Sequence, residues 1–171
     1  MTVLQSLTNI FEIFPNWLAT ILISCLPVAE LRGAIPIALL QYQMHPAEAY
    51  LFAVIGNMLP VIPLLLYLEP VSNYLRRFRF WDKFFNWLFT RTRHNHSETF
   101  EKYGTLGLAI FVAIPLPATG AWTGCAAAFV FGIGFRHALM AISAGVLVAG
   151  AVVTIVTLGG ISLSNIFMQV I

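Results

Sequence analysis

Hydrophobic positions run through this chain in long blocks, filled on both odd and even positions and broken by proline and glycine. The alternation over about ten residues that a membrane barrel needs is absent. The pattern predicts helices. Residues 47–68 form one block, free of Asp, Glu, Lys and Arg from 49 onward. That is enough for one crossing of a roughly 30 Å hydrocarbon core. Pro46 suits a first helical turn, with Glu48 close behind it. Inside the block, Ala53, Gly56 and Pro60 predict a close-packing face, and Asn57 sets an amide among apolar neighbours. Residues 138–158 predict a second crossing, with Gly145 and Gly150 beside Ala141, Ala144 and Ala149.

Two other blocks are too long for one crossing and too short for two. In 16–43, the apolar run Trp17–Leu26 meets Pro27, Glu30, Arg32, Gly33 and Pro36 before Ile37–Leu40. As helix this stretch measures about 42 Å, whereas two crossings need about 40 residues and a turn. A tilted broken helix or a re-entrant hairpin is expected, with Pro27, Gly33 and Pro36 supplying the break. The second block is 99–135, and its charge-free part, 103–135, spans about 50 Å if helical. Pro115 and Pro117 interrupt it, and Gly120 and Gly124 permit close turns. A second re-entrant hairpin is expected, its freed backbone groups shielded by protein or water.

Residues 2–14 have apolar residues at helical spacing and predict an interfacial helix ending near Pro15. Residues 70–98 alternate aromatic and basic positions and predict an amphipathic segment at the cytoplasmic face. The expected fold is therefore an all-α integral membrane domain over 1–171. Each half-repeat, 16–68 and 99–158, holds a broken hairpin followed by a crossing. Ala34-Ile35-Pro36 echoes Ala113-Ile114-Pro115. One crossing per half would invert the halves, and the hairpin tips are then expected to meet near the bilayer midplane. Inverted repeats with broken helices are a common transporter plan.

Composition agrees. Of 171 residues 59% are hydrophobic and 9% charged, against about 25% charged in a soluble domain. A cytosolic enzyme, a disordered chain and a nucleic-acid binder are excluded. The net charge of +2 says little, but its placement says more: 11 of the 16 charges fall between Glu69 and Lys102. The basic loop 76–93 is expected in the cytoplasm by the positive-inside rule, with His45 and the C-terminus opposite. The protein is thus expected in the cell membrane as a multi-pass chain. Cys25 and Cys125 read as apolar filler. The first 11 residues carry no Lys or Arg, unlike a standard signal peptide.

Glu30 and Arg32 are the only Asp, Glu, Lys or Arg residues in 13–47. Charges in hydrocarbon are costly, so a mutual pair, a distant partner or a wet cavity is expected. Two residues apart, they do not share a face of a regular helix. They read equally as a structural ion pair and as a substrate or proton site. Asn57 reads as an interhelical hydrogen-bonding group or a ligand contact. Thr119, Trp122 and Thr123 could replace water around a polar substrate or satisfy their own loop. His45, His94, His96 and His137 make no metal set, and no catalytic constellation stands out. No enzyme activity, metal or cofactor is expected.

Glu30-x-Arg32-Gly-Ala-Ile-Pro36, Gly56-Asn57-x-x-Pro60 and Pro115-Leu-Pro-Ala-Thr-Gly-Ala-Trp-Thr-Gly124 together resemble the small multi-drug export protein family. The likeness covers roughly 20–158, and the last motif is the most specific. It implies an exporter. More distantly the chain is similar to the DedA-type membrane proteins, which pair two re-entrant loops and are linked to lipid translocation and proton-coupled export. Their first-loop acidic residue would correspond to Glu30. Their second loop has a basic pattern that 111–124 lacks.

The expected function is a small transporter with Glu30, Arg32, Asn57 and Thr119 lining or gating a polar site. The alternatives are a lipid scramblase or flippase, and a noncatalytic scaffold or assembly factor. Expected partners are membrane lipids, a small-molecule or lipid substrate, protons, and a second copy of the chain. Nucleic acid is not among them.

Overall fold

The computed structural model describes residues 14–67, 98–115 and 119–170, with side chains described except at 98–103 and 161–170. The expected interfacial helix 2–14 lies outside the described residues except for Phe14. The basic loop 76–93 and Pro117 lie outside them entirely. The described residues form helices only: α1 Asn16–Cys25, α2 Glu30–Leu40, α3 Pro46–Met58, α4 Glu98–Ala113, α5 Ala121–Phe131 and α6 Phe135–Val170.

Two helices are long and apolar enough to cross a membrane. One is α3 continued past a turn at Leu59–Pro60, a span of 22 residues from Pro46 to Tyr67. The other is the 26-residue part of α6 from Phe135 to Gly160. Pro46 begins its helix as expected. Gly159 and Gly160 lie within α6, which continues to Val170. An interior glycine costs a helix about 1 kcal/mol. Releasing backbone hydrogen bonds in an apolar setting costs more.

Both broken blocks are helix–break–helix. α1 and α2 hold 10 and 11 residues, about 15 Å each and half the hydrocarbon core. They pack on each other, and both pack on α3. The break occupies Leu26–Ala29 and contains Pro27. Gly33 and Pro36, expected in the break, stand inside α2. Proline removes one amide donor and leaves the carbonyl four residues back without that partner. A helix pinned between neighbours tolerates this. In the second block α4 and α5 pack together, and the described residues between them, 114–115 and 119–120, are not helical. At the end of α5, Gly132 adopts φ 68, the left-handed conformation open to glycine. The Gly132 and Ile133 amides then donate to Phe129 and Ala128, closing the helix.

The chain packs as two compact units. The first comprises the residues up to Met58 with those from Leu147 onward, and the second runs from Leu59 to Val146. Each unit therefore holds one hairpin and part of each long helix.

Small residues fill the first unit: Ala19, Ala34, Ala38, Ala49 and Ala53 are wholly buried beside Ile23 and Ile35. Alanine and glycine let backbones approach closely where lipid supplies no hydrophobic drive. Gly56 shows this most sharply. A Cβ there would strike the Ile21 carbonyl of α1 and lie 2.8 Å from the Ile21 Cα. The expected face of Ala53, Gly56 and Pro60 is indeed buried. Tyr50 lies against Gly150, and its hydroxyl donates to the Leu147 carbonyl at 3.1 Å.

The second unit repeats this device. A Cβ on Gly145 would lie 2.6 Å from the Val112 Cβ and 2.8 Å from the Ala109 carbonyl of α4. In each unit a glycine of the long helix seats the first helix of the preceding hairpin. Gly56 and Gly145 are 89 residues apart, as are the starts of α3 and α6, and α2 and α5 begin 91 apart. The Ala-Ile-Pro echo does not share this spacing: residues 34–36 lie within α2, whereas Ala113 ends α4 and 114–115 follow it. Those triplets are 79 residues apart, so they occupy unequal places.

Cys125 is buried in this unit, its Sγ 3.9 Å from the Val61 carbonyl.

Candidate functional site

The charged pair sits where α2 begins. Pro27 interrupts the ladder, and the Glu30 amide reaches back to the Leu26 carbonyl at 3.0 Å. This turn holds Glu30 at φ 46. A residue with a Cβ pays roughly 1–3 kcal/mol for a sparsely populated conformation, and such strain gathers at functional sites. The left-handed turn also answers the spacing objection. Two residues apart and out of register on a regular helix, Arg32 Nη2 and Glu30 Oε2 meet at 3.6 Å. That is a charge contact, longer than a charge-assisted hydrogen bond.

Burial is unequal. Glu30 is 7% exposed, whereas the Arg32 side chain keeps 29%. The carboxylate lies at the N-terminal end of α2, where the helix dipole favours negative charge. Pro36 has no amide for the Arg32 carbonyl, so α2 also carries a main-chain acceptor lacking its usual donor.

Asn57 lies on α3, which packs against both α1 and α2. It is 1% exposed, and its Oδ1 has no hydrogen-bond partner. A buried polar atom of this kind costs about 1–3 kcal/mol. The residue before it, Gly56, faces the same proline effect: Pro60 cannot donate to its carbonyl. Glu30, Arg32 and Asn57 thus belong to the first unit.

Thr119 belongs to the second unit. Its hydroxyl donates to the Ile114 carbonyl at 2.6 Å, bracing the break across Pro115. Thr123 donates to Gly120 at 3.2 Å. Both hydroxyls satisfy their own loop, one of the two roles expected for them. Pro115 and Trp122 are half-buried, and Gly120 and Gly124 are buried. Gly124 faces Val112 and Ile142.

Three polar residues escaped the sequence reading. Asn16, Thr20 and Ser24 recur every four positions along α1, inside a run that reads as apolar. Thr20 and Ser24 are wholly buried. Thr20 donates to the Asn16 carbonyl at 2.8 Å, and Ser24 to the Ala53 carbonyl at 2.6 Å, tying α1 to α3. The four-residue spacing was the available signal. Among the described residues no group of three His, Cys, Asp or Glu gathers as a metal site.

No curated protein and no solved structure matches the chain. A family model described as "Putative small multi-drug export protein" matches residues 30–152. The match begins at Glu30 and takes in Arg32, Asn57 and the whole second break. With two apolar helices able to cross a membrane and hairpins of paired short helices, the chain belongs to the small multi-drug export protein family.

Proposed function

We propose that the protein is a small integral-membrane transporter that exports a small molecule, with the break at Glu30 as its polar site. One observation carries this reading. A buried carboxylate and a guanidinium meet at a strained break between two helices, each about half a membrane thick. A plain anchor has no use for such a break, and ionisable groups inside membranes mark substrate and proton paths. Membership in an export family supports the same reading.

The two hairpins are re-entrant, and the halves are inverted repeats. The short helix lengths, the matched glycines 89 residues apart and the repeated element order support this arrangement. Arg32 offers an anion-binding fork or keeps Glu30 ionised, and Glu30 can carry a proton. A small polar substrate would engage this pair and bias the protein toward one access state.

The test is purified protein in liposomes, with folding checked by monodisperse elution. Flux of cationic compounds, organic anions and labelled lipids is followed across imposed pH gradients. Protein-dependent flux of a small molecule is the expected result. Flux of labelled lipid alone would make the protein a scramblase or flippase. No flux of any probe by monodisperse protein would leave a scaffold.

Topology gives a second prediction. The basic loop 76–93 faces the cytoplasm, while His45 faces the other side, because one long helix separates them. Single cysteines at 45 and 94, in a background without Cys25 and Cys125, should label from opposite faces. Labelling from the same face would overturn this orientation.

A further inference from the structure

We propose that Asn57 Oδ1 and the Gly56 main-chain carbonyl hold a dehydrated monovalent metal cation, for which sodium is the probe. The inference goes beyond the export reading by naming an ion as a ligand. Asn57 Oδ1 is enclosed at 1% residue exposure with no partner. The next acceptor is built by the backbone: Pro60 brings no amide to the Gly56 carbonyl, and the helix resumes only with Leu64 N donating to Pro60 O at 3.0 Å. Two oxygen acceptors on consecutive residues thus lack their usual donors.

A further acceptor stands on α1, which packs on α3. Ser24 gives its only proton to the Ala53 carbonyl at 2.6 Å, leaving its oxygen able only to accept. Ala53 lies one turn before Asn57. Gly56 is pressed against the Ile21 backbone of α1, so no side chain at 56 can fill the space. Serine hydroxyl, amide oxygen and carbonyls are hard oxygen donors suited to a hard cation. Unwound carbonyls in broken membrane helices serve such ions. A trapped water is the competing occupant. It would satisfy two acceptors while bringing lone pairs of its own, and a cation brings none.

The experiment compares thermal unfolding of purified protein in sodium, potassium and choline chloride at equal ionic strength, followed by tryptophan fluorescence. A bound ion stabilises by mass action. At ten times the dissociation constant the rise over choline is about 3–6 °C for a chain of this length. Asn57→Ala should lose the rise. Asn57→Asp, which supplies a charged oxygen, should keep or enlarge it. Should Asn57→Ala fail to fold, Pro60→Ala replaces it: a restored amide occupies the Gly56 carbonyl, and the rise should fall by at least half. Equal melting of the wild type in sodium, potassium and choline would overturn the proposal and leave the site to water. A metal-ion rise that persists in Asn57→Ala, or undiminished in Pro60→Ala, would overturn it as well. The readout involves no transported substrate. Its failure leaves the export reading standing, and absence of flux leaves the ion site standing.

Discussion

Gly56→Val is expected to yield no monodisperse protein, whereas Gly107→Val is expected to elute like the parent. The first substitution drives a branched side chain into the Ile21 carbonyl and Cα of α1. Overpacking usually costs about 1–3 kcal/mol, because neighbouring side chains can rotate away. Here the obstacle is backbone, so α3 must back off along its contact with α1. That would also break the Ser24–Ala53 hydrogen bond and open the packing of Ala19 and Ala53. The loss should exceed the usual range. A Cβ on Gly107 of α4 would meet nothing within 4 Å, and losing an interior glycine helps a helix by up to about 1 kcal/mol. Fluorescence-detected size exclusion of both variants checks the contrast. A monodisperse Gly56→Val protein as stable as the parent would refute the α1–α3 contact. Gly145→Val should fail likewise, through Val112 and Ala109.

The second large effect concerns the ion pair. Arg32→Ala takes away the guanidinium 3.6 Å from a buried carboxylate. Breaking a buried pair on one side costs roughly 3–5 kcal/mol, and the 29% exposure of Arg32 puts this one near the lower end. Glu30→Gln keeps the shape and hydrogen-bonding capacity of the residue while removing its proton chemistry. It should fold, and its flux in liposomes should lose its dependence on the imposed pH gradient. The double variant Glu30→Gln, Arg32→Ala should recover stability relative to Arg32→Ala, because no buried carboxylate then lacks its guanidinium. It should not recover flux. Coupled flux unchanged in folded Glu30→Gln would end the role of Glu30, and restored flux in the double variant would make the pair purely structural.

The sequence announced the two breaks more reliably than their positions. Proline and glycine say that a helix is strained. They do not say whether neighbours will hold it together, and α2 runs intact through Gly33 and Pro36 because it packs on both α1 and α3. The long helices were legible because twenty apolar residues have few other uses in a chain this poor in charge. The order of a break followed by a long helix was legible in both parts of the chain, yet the one visible sequence echo joined unequal places. Gly56 and Gly145 each seat a neighbouring helix at close range, which no short motif records. Glu30 could be named from its charge, but its left-handed backbone follows from the Leu26–Ala29 turn and could not be read from residue types. The α1 hydroxyls stayed hidden because Thr and Ser at four-residue spacing, each bonded to a carbonyl, pass in a hydropathy pattern as part of an apolar run.

The division of both long helices between the units sets a schedule for biogenesis. Tyr50 is made early, yet its acceptor on Leu147 lies 97 residues later. At about 5–20 residues per second the ribosome needs roughly 5–20 seconds to supply it. Throughout that interval the first hairpin and α3 exist without the part of α6 that completes their unit. The second unit ends at Val146, so its residues are all made before those that complete the first. The hairpin bearing Glu30 and Arg32, though first to leave the ribosome, would then be the last to reach its finished surroundings. The first unit, which bears Glu30 and Arg32, is complete only once the residues from Leu147 onward have been translated.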